Sequence, residues 1–285
     1  MIYVTLCTVP DRMASEEWFK VCLESLLNQD TTEPYQIVLN IPFKYNNYPD
    51  ATIPQWLQEF VNTRSNKIRI LRDNNDYGPI SNLLYPMKHL PNNPNDIFIV
   101  VDDDQEYHPS MISYHLKKLK QYSHRHVICY RGNGIIEART WYENGKKWAK
   151  MYNTHVHFPT KKDIYVRLPD HWHSVSYPRH LLGNDMFDEK FLSITWNNDQ
   201  LMGYYGWTHD FYFLCAEWDA ETDYRPVNHD GRGAYSFPVL RTLPNINESG
   251  CYFWRFPGDK LQRTFPNAEE MNKIHEEKPI MEWFV

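Results

Sequence analysis

Residues 2–7 (Ile-Tyr-Val-Thr-Leu-Cys) form a short run of β-branched and apolar side chains, and Pro10 and Asp11 behind them are loop signals. A strand followed by a loop is the prediction. Over residues 15–28, Trp18, Val21, Cys22 and Leu26 recur at helical spacing behind Ser15, a residue type that caps helices. Residues 35–41 read as a second strand, 53–61 as a second helix, and 67–71 as a third strand in which charged and apolar residues alternate. Asp76-Tyr77-Gly78-Pro79 predicts a turn into a helix over 80–90. Residues 96–101 then carry five consecutive apolar positions, the mark of a strand covered on both faces. A helix over 109–122, with Pro109 in its first turn, and a strand over 127–130 follow. The alternation of strand and helix specifies an α/β fold, a mostly parallel sheet flanked by helices.

The second half is less regular. Residues 135–142 and 148–156 predict a hairpin about Asn144-Gly145, residues 174–177 a strand, and the aromatic-rich run 208–218 a helix. From Tyr224 onward Pro, Asn, Gly and aromatic residues predominate without periodicity, up to a short helical pattern over 268–276. No Gly/Ser-rich linker and no internal repeat divides the chain, so a single domain with a wrapping, aromatic-rich C-terminal extension is expected.

Charge narrows the function classes. The 36 acidic residues outnumber the 30 basic ones, and no run of Lys and Arg exceeds two, so a nucleic-acid partner is not expected. No apolar stretch approaches the roughly 20 residues of a membrane span, and the start of the chain lacks the pattern of a secretory signal, so the expected location is the cytoplasm. Cys7, Cys22, Cys129, Cys215 and Cys251 are widely spaced, with no C-x-x-C, and read as reduced buried thiols. Aromatic residues make up 15% of the chain and crowd its second half, which suits a cleft where sugar rings stack on aromatic faces. Trp172, Trp196, Tyr204, Tyr205 and Trp207 are the candidates to line it.

The chemistry starts at Asp102-Asp103-Asp104, directly behind the buried strand. In open α/β sheets ligands bind at the carboxyl ends of strands, and three adjacent carboxylates need a cation or donors to neutralise them. Carboxylate oxygens suit Mg2+ or Mn2+, which leave positions open for phosphate. If the backbone stays extended, Asp102 and Asp104 face one pocket and Asp103 faces another way. His155-x-His157 and His171-x-His173 have a spacing compatible with zinc, but nothing nearby completes a set. No Gly-x-Ser-x-Gly, P-loop or dinucleotide fingerprint occurs.

The spacing Asp102-x-Asp104 resembles the D-x-D motif of GT-A fold glycosyltransferases, which bind a nucleotide-diphosphate sugar through a divalent metal. Residues 4–12 (VTLCTVPDR), 23–29 (LESLLNQ) and 76–84 (DYGPISNLL) are similar to corresponding segments of family-2-like members from bacteria and large algal DNA viruses. The resemblance implies a GT-A architecture with a nucleotide-sugar-binding half (1–130), an acceptor-binding half (131–235) and the extension (236–285). It implies a metal-dependent, inverting transferase, with Mn2+ or Mg2+ as cofactor, a nucleotide-diphosphate sugar as donor and a glycan as acceptor. UDP is the expected nucleotide, UDP-xylose a candidate donor.

Carried onto this chain, the resemblance assigns the nucleotide to Thr8, Pro10, Arg12, Asp76, Tyr77, Gly78, Asn82, Asp102 and Asp103, and the metal to Asp102, Asp104 and the late His229. That branch often has Lys where this chain has Asn82. The acid usual at the end of the second strand is also absent here, where the chain reads Asn40-Ile41-Pro42, so base contacts fall to Thr8, Pro10, Arg12 and Tyr77. Asp210, expected at the start of a helix, is assigned as general base, with Asp199 and Asp230 as fallbacks. The alternatives are a non-catalytic carbohydrate-binding module and a sugar nucleotidyltransferase. The latter needs a Gly-rich, basic loop where residues 6–12 have no glycine.

Overall fold

The structure is a computed structural model. It describes residues 1–217 apart from 47, 49–51, 123–124, 144–145, 157–162, 167 and 194–197, so the extension and the pattern at 268–276 lie outside the described residues. In chain order the elements are β1 (Ile2–Cys7), α1 (Pro10–Ala14), α2 (Glu16–Leu27), β2 (Tyr35–Pro42), α3 (Gln55–Asn62), β3 (Ile68–Asp73), α4 (Ser81–His89), β4 (Ile97–Val100) and α5 (Met111–Gln121). Then come β5 (His126–Cys129), β6 (Gly132–Glu143), β7 (Lys146–Val156), β8 (Ile164–Val166), β9 (Leu168–Pro169), β10 (Val175–Pro178), α6 (Glu189–Leu192), α7 (Asn198–Thr208) and β11 (Tyr212–Cys215).

The main sheet has the order β3-β2-β1-β4-β10-β5-β11-β8. Strands β3, β2, β1, β4, β5 and β11 point one way, while β10 runs against β4 and β5, and β8 runs against β11. A second sheet, β7-β6-β9, is built on the predicted hairpin. Alternation along the strands splits the core between the two faces. Val4, Leu6, Ile37, Leu39 and Ile99 pack with Phe19, Leu23 and Leu26 of α2, Leu57 and Phe60 of α3, and Met111 and Ile112 of α5. Tyr3, Val38, Phe98, Val100, Val127 and Phe213 pack on the other face with Leu83, Leu84 and Met87 of α4 and Leu201 and Met202 of α7. Burial of one such leucine contributes about 2 kcal/mol, and both faces of β4 are covered, which is why its sequence is an unbroken apolar run.

Three expectations change. Pro10 opens the short helix α1 instead of ending the strand in a loop, because its missing N–H and fixed φ suit a first helical position. Pro109 lies outside α5, which starts at Met111 behind Ser110. The run 208–218 is not helical. The helix is α7, ending at Thr208, after which Asp210 turns left-handed (φ 55°) and Tyr212–Cys215 pairs with β5. Alternating aromatic and aliphatic residues there satisfy the strand, and Gly206 lets α7 close on it, since a Cβ would lie 2.5 Å from the Phe213 ring.

A buried polar relay fixes α4 against the sheet. Pro86 sits inside α4 and has no N–H to give to the carbonyl of Asn82 four residues back. The Thr5 hydroxyl of β1 donates to that carbonyl instead, at 2.7 Å, and itself accepts from Asn40 Nδ2 of β2 at 2.8 Å. No helix among the described residues is long and apolar enough to cross a membrane.

Candidate active site

After β1 the chain moves outward through α2 to β2, and β4 lies on β1's other side, so the sheet's switch point falls between the carboxyl ends of β1 and β4. Thr8, Pro10 and Arg12 follow the first of these strands and Asp102–Asp104 the second. The backbone turns at Asp103 and Asp104, so alternation of an extended chain does not apply there. Asp103 and Asp104 therefore converge on one partner. Arg12 bonds Asp103 Oδ1 through Nη1 and lies 3.3 Å from Asp104 Oδ2 through Nη2. The buried Tyr107 hydroxyl holds the turn from below, accepting from the Asp102 N–H (2.8 Å) and donating to the Asp102 carbonyl (3.1 Å).

Burial pushes the Asp102 carboxyl well above the usual range, helped by repulsion from Asp104 and Asp103, with Arg12 opposing. Burial likewise raises Asp103, and Arg12 offsets part of that rise. Burial works against the Arg12 charge, but the three aspartates outweigh it and hold the guanidinium firmly protonated. The Thr8 hydroxyl lies beside Asp103 and favours its charged form, yet neither Thr8 Oγ1 nor Asp103 Oδ2 completes a hydrogen bond of good geometry. Asn82 Oδ1 and Gln105 Oε1 are also buried acceptors without a partner. Unsatisfied buried oxygens of this kind fit a hard divalent cation held by one or two carboxylates and completed by phosphate. Among the described residues no group of three or more His, Cys, Asp or Glu side chains is placed to hold a metal ion by itself, so an ion here would need the donor's phosphates to complete its coordination. His229 and Asp230 lie outside the described residues.

The turn after β3 closes one side. Asp76 accepts from the Gly78 N–H (2.9 Å), and Gly78 adopts φ 66°, a conformation that glycine takes without strain. The loop after β2 is tied across the crevice, with Asn46 N on Asp76 Oδ2 (2.9 Å) and Tyr45 OH on the Thr8 carbonyl (3.1 Å). Tyr77, half-buried, accepts from Asn75 Nδ2 (2.9 Å).

Antiparallel β10 brings the segment before it to the same edge, since Val175 pairs with Val100. His171 is buried there, with Nδ1 2.5 Å from Asp199 Oδ1 and Nε2 2.7 Å from the Tyr177 hydroxyl. Asp199 stands in the first turn of α7, partly exposed, and its charge is among those that raise the Asp102 pKa. Asp210 is elsewhere. It precedes β11, which is parallel to β4, so it lies at the amino edge, about 15 Å along α7 from Asp199 and exposed. Tyr205 belongs to that far end too, bonding Asp185 Oδ1 (2.9 Å) and stacking on His209, and so packs the fold instead of lining a sugar cleft. Trp196 lies outside the described residues. The pairing of His171 with Asp199 was not visible in the sequence, which offered His171 only as half of a His-x-His pair and Asp199 only as a fallback base.

An open, doubly wound sheet with its acids at the switch point, and an antiparallel strand inserted beside them, defines the GT-A class of fold. A structure of GalNAc-T7 with UDP, GalNAc and Mn2+ is similar at TM-score 0.50 and 11% identity, over 76% of this chain and 42% of that one. S. aureus TarS, residues 1–349, matches at TM-score 0.42 and 12% identity, over 74% of this chain and 59% of that one. This chain thus spans less than two thirds of either. No curated protein is significantly similar in sequence. The family model for glycosyl transferase family 2 matches residues 11–176, more than half of the chain. The chain belongs to glycosyl transferase family 2, a family of sugar-transferring enzymes.

Proposed function

We propose that the protein transfers one sugar from a nucleotide-diphosphate donor to a glycan hydroxyl, with inversion, using Asp199 as general base. The observation that carries this is the placing of two acidic groups at one sheet edge: Asp102–Asp104 behind β4, and Asp199, bonded to His171 just ahead of β10, whose Val175 pairs with Val100 of β4. The donor's diphosphate lies between residues 8–12 and the turn 76–82, within reach of Arg12. Asp199 takes the proton of the acceptor hydroxyl as its oxygen attacks the anomeric carbon, and the bond to the diphosphate breaks with its electron pair leaving on the phosphate oxygen. His171, fixed by Tyr177, donates from Nδ1 to Asp199 and aims it. A divalent ion on Asp102 and Asp104 would supply positive charge to the leaving diphosphate. Asp210 has no part in the chemistry.

The test is a panel of UDP- and GDP-sugars, UDP-xylose included, with Mn2+ or Mg2+, scored by donor turnover and by the anomeric configuration of the product. GalNAc-T7, solved with UDP, GalNAc and Mn2+, makes UDP and Mn2+ the first pair to try. Asp199→Asn is expected to lower kcat by about 10²–10⁴-fold with donor affinity kept, Asp210→Asn to leave kcat unchanged, and Asp104→Ala to abolish metal-dependent donor binding. Loss of turnover in Asp210→Asn but not in Asp199→Asn would transfer the base role. A product of retained configuration would refute single displacement.

A further inference from the structure

Arg12 stands where a metal-bound donor has to go. From α1 it reaches over the switch point to Asp103 and Asp104, whose side chains are 1% and 9% exposed, while its own side chain is 25% exposed. The ion pair is therefore open to an incoming ligand from the arginine side only. The guanidinium is also incompletely used, because its Nε is buried and donates to no protein atom. A planar fork of N–H donors fits phosphate as well as carboxylate.

Two demands on the same oxygens conflict. Asp103 Oδ1 and Asp104 Oδ2 are the partners of Arg12, Asp104 Oδ1 accepts from Gln105 Nε2 at 2.8 Å, and the Asp104 carboxylate is also one of the two that would hold a hard divalent ion. Three acidic side chains surround one guanidinium and so can still attract such an ion, yet Arg12 must give up Asp104 before the ion can take it. A diphosphate arriving at the mouth of the crevice offers the guanidinium an equivalent partner. We propose that Arg12 is a place-holding cation that exchanges Asp103 and Asp104 for the donor's diphosphate, so that metal and nucleotide each bind tightly only when the other is present. The proposal rests on the reading of this edge as a nucleotide-diphosphate-sugar site. It adds a role for Arg12 as the residue that couples the two ligands, and the coupling is reciprocal by thermodynamic necessity.

The test is Mn2+ binding to the full chain, read from the EPR signal of free ion, with and without saturating UDP. Wild type is expected to bind Mn2+ at least about 10-fold more tightly with UDP than without it. Arg12→Gln is expected to bind Mn2+ alone about 10-fold more tightly than wild type, and UDP is expected to add little further. Arg12→Lys keeps the charge but loses the fork, and its affinity for Mn2+ alone is expected about threefold above wild type; this milder change serves if the glutamine variant does not fold. Mn2+ affinities equal to or below wild type in both variants, with the UDP effect undiminished, overturn the exchange alone. If wild type binds neither Mn2+ nor UDP, the nucleotide-sugar reading itself falls, and the exchange falls with it.

Discussion

His115 of α5 is one buried group through which acid should weaken this fold. Its ring nitrogens lie 2.9 Å from Ser176 Oγ and 2.8 Å from Ser174 Oγ, and its ring stands nearly perpendicular to that of Tyr130, with centroids 4.8 Å apart. Burial lowers its pKa from 6.5 to about 3, since no anion compensates the charged form. The folded protein therefore keeps this imidazole neutral while the unfolded chain takes up a proton below pH 6.5, and stability drains away as pH falls from about 6.5 towards 3. Urea unfolding of wild type should lose about 1 kcal/mol per pH unit from this group across that window. His115→Gln, which keeps a donor and an acceptor, should be less stable at pH 7 but lose less on acidification. Equal slopes for the two proteins would refute the assignment. At this scale the sequence was informative where chemistry is local: Asp102–Asp104 follow directly on a five-residue apolar run that reads as a buried strand. It was silent on His171 with Asp199, 28 positions apart and joined only by the reversed direction of β10.

Elements are held by groups that helix and strand patterns do not record. Pro86 reads as a defect in α4, yet the carbonyl it orphans is the acceptor that ties α4, and with it the 76–82 turn, to β1 and β2 through Thr5 and Asn40. Thr5→Val keeps the shape and leaves Asn82 O and Asn40 Nδ2 short of a partner, so it should cost about 1–3 kcal/mol in urea unfolding. Pro86→Ala returns an N–H to the position that feeds Asn82 O. In that background the same Thr5→Val change should cost less than in wild type, and a double-mutant cycle reads the difference. Additive costs would show that the relay does not act as a unit. The same logic explains the misplaced helix. Residues 208–218 are aromatic enough for a buried helix, but periodicity cannot separate a short buried strand from a helix segment, and the pairing with β5 that decides the matter is a long-range contact.

For the whole molecule, the direction of the strands determines where charge accumulates. Six strands of the main sheet share one direction, so the loops behind β1, β3 and β4 gather Arg12, Asp76 and Asp102–Asp104 at one edge, and β10 adds His171 there by running the other way. The fold brings these acids together before any ligand is present, which strains the folded state. The Asp102 carboxyl, held well above its ordinary range by burial and by its acidic neighbours, costs stability at pH values above the unfolded value of 3.8, and that cost disappears as pH falls below it. Asp102→Asn should therefore raise the melting temperature of the ligand-free protein at neutral pH, by about 3 °C for each kcal/mol relieved, since Tyr107 holds only the backbone of residue 102. If the proposed function holds, the same substitution should also abolish the further rise expected of wild type with UDP and Mn2+, because the carboxylate removed is one of those proposed to receive the metal-bound donor. Thermal unfolding with and without both ligands separates the two effects. A lower melting temperature in the ligand-free variant would mean that Asp102 stabilises the fold, and an undiminished ligand shift would mean that donor and metal bind without it.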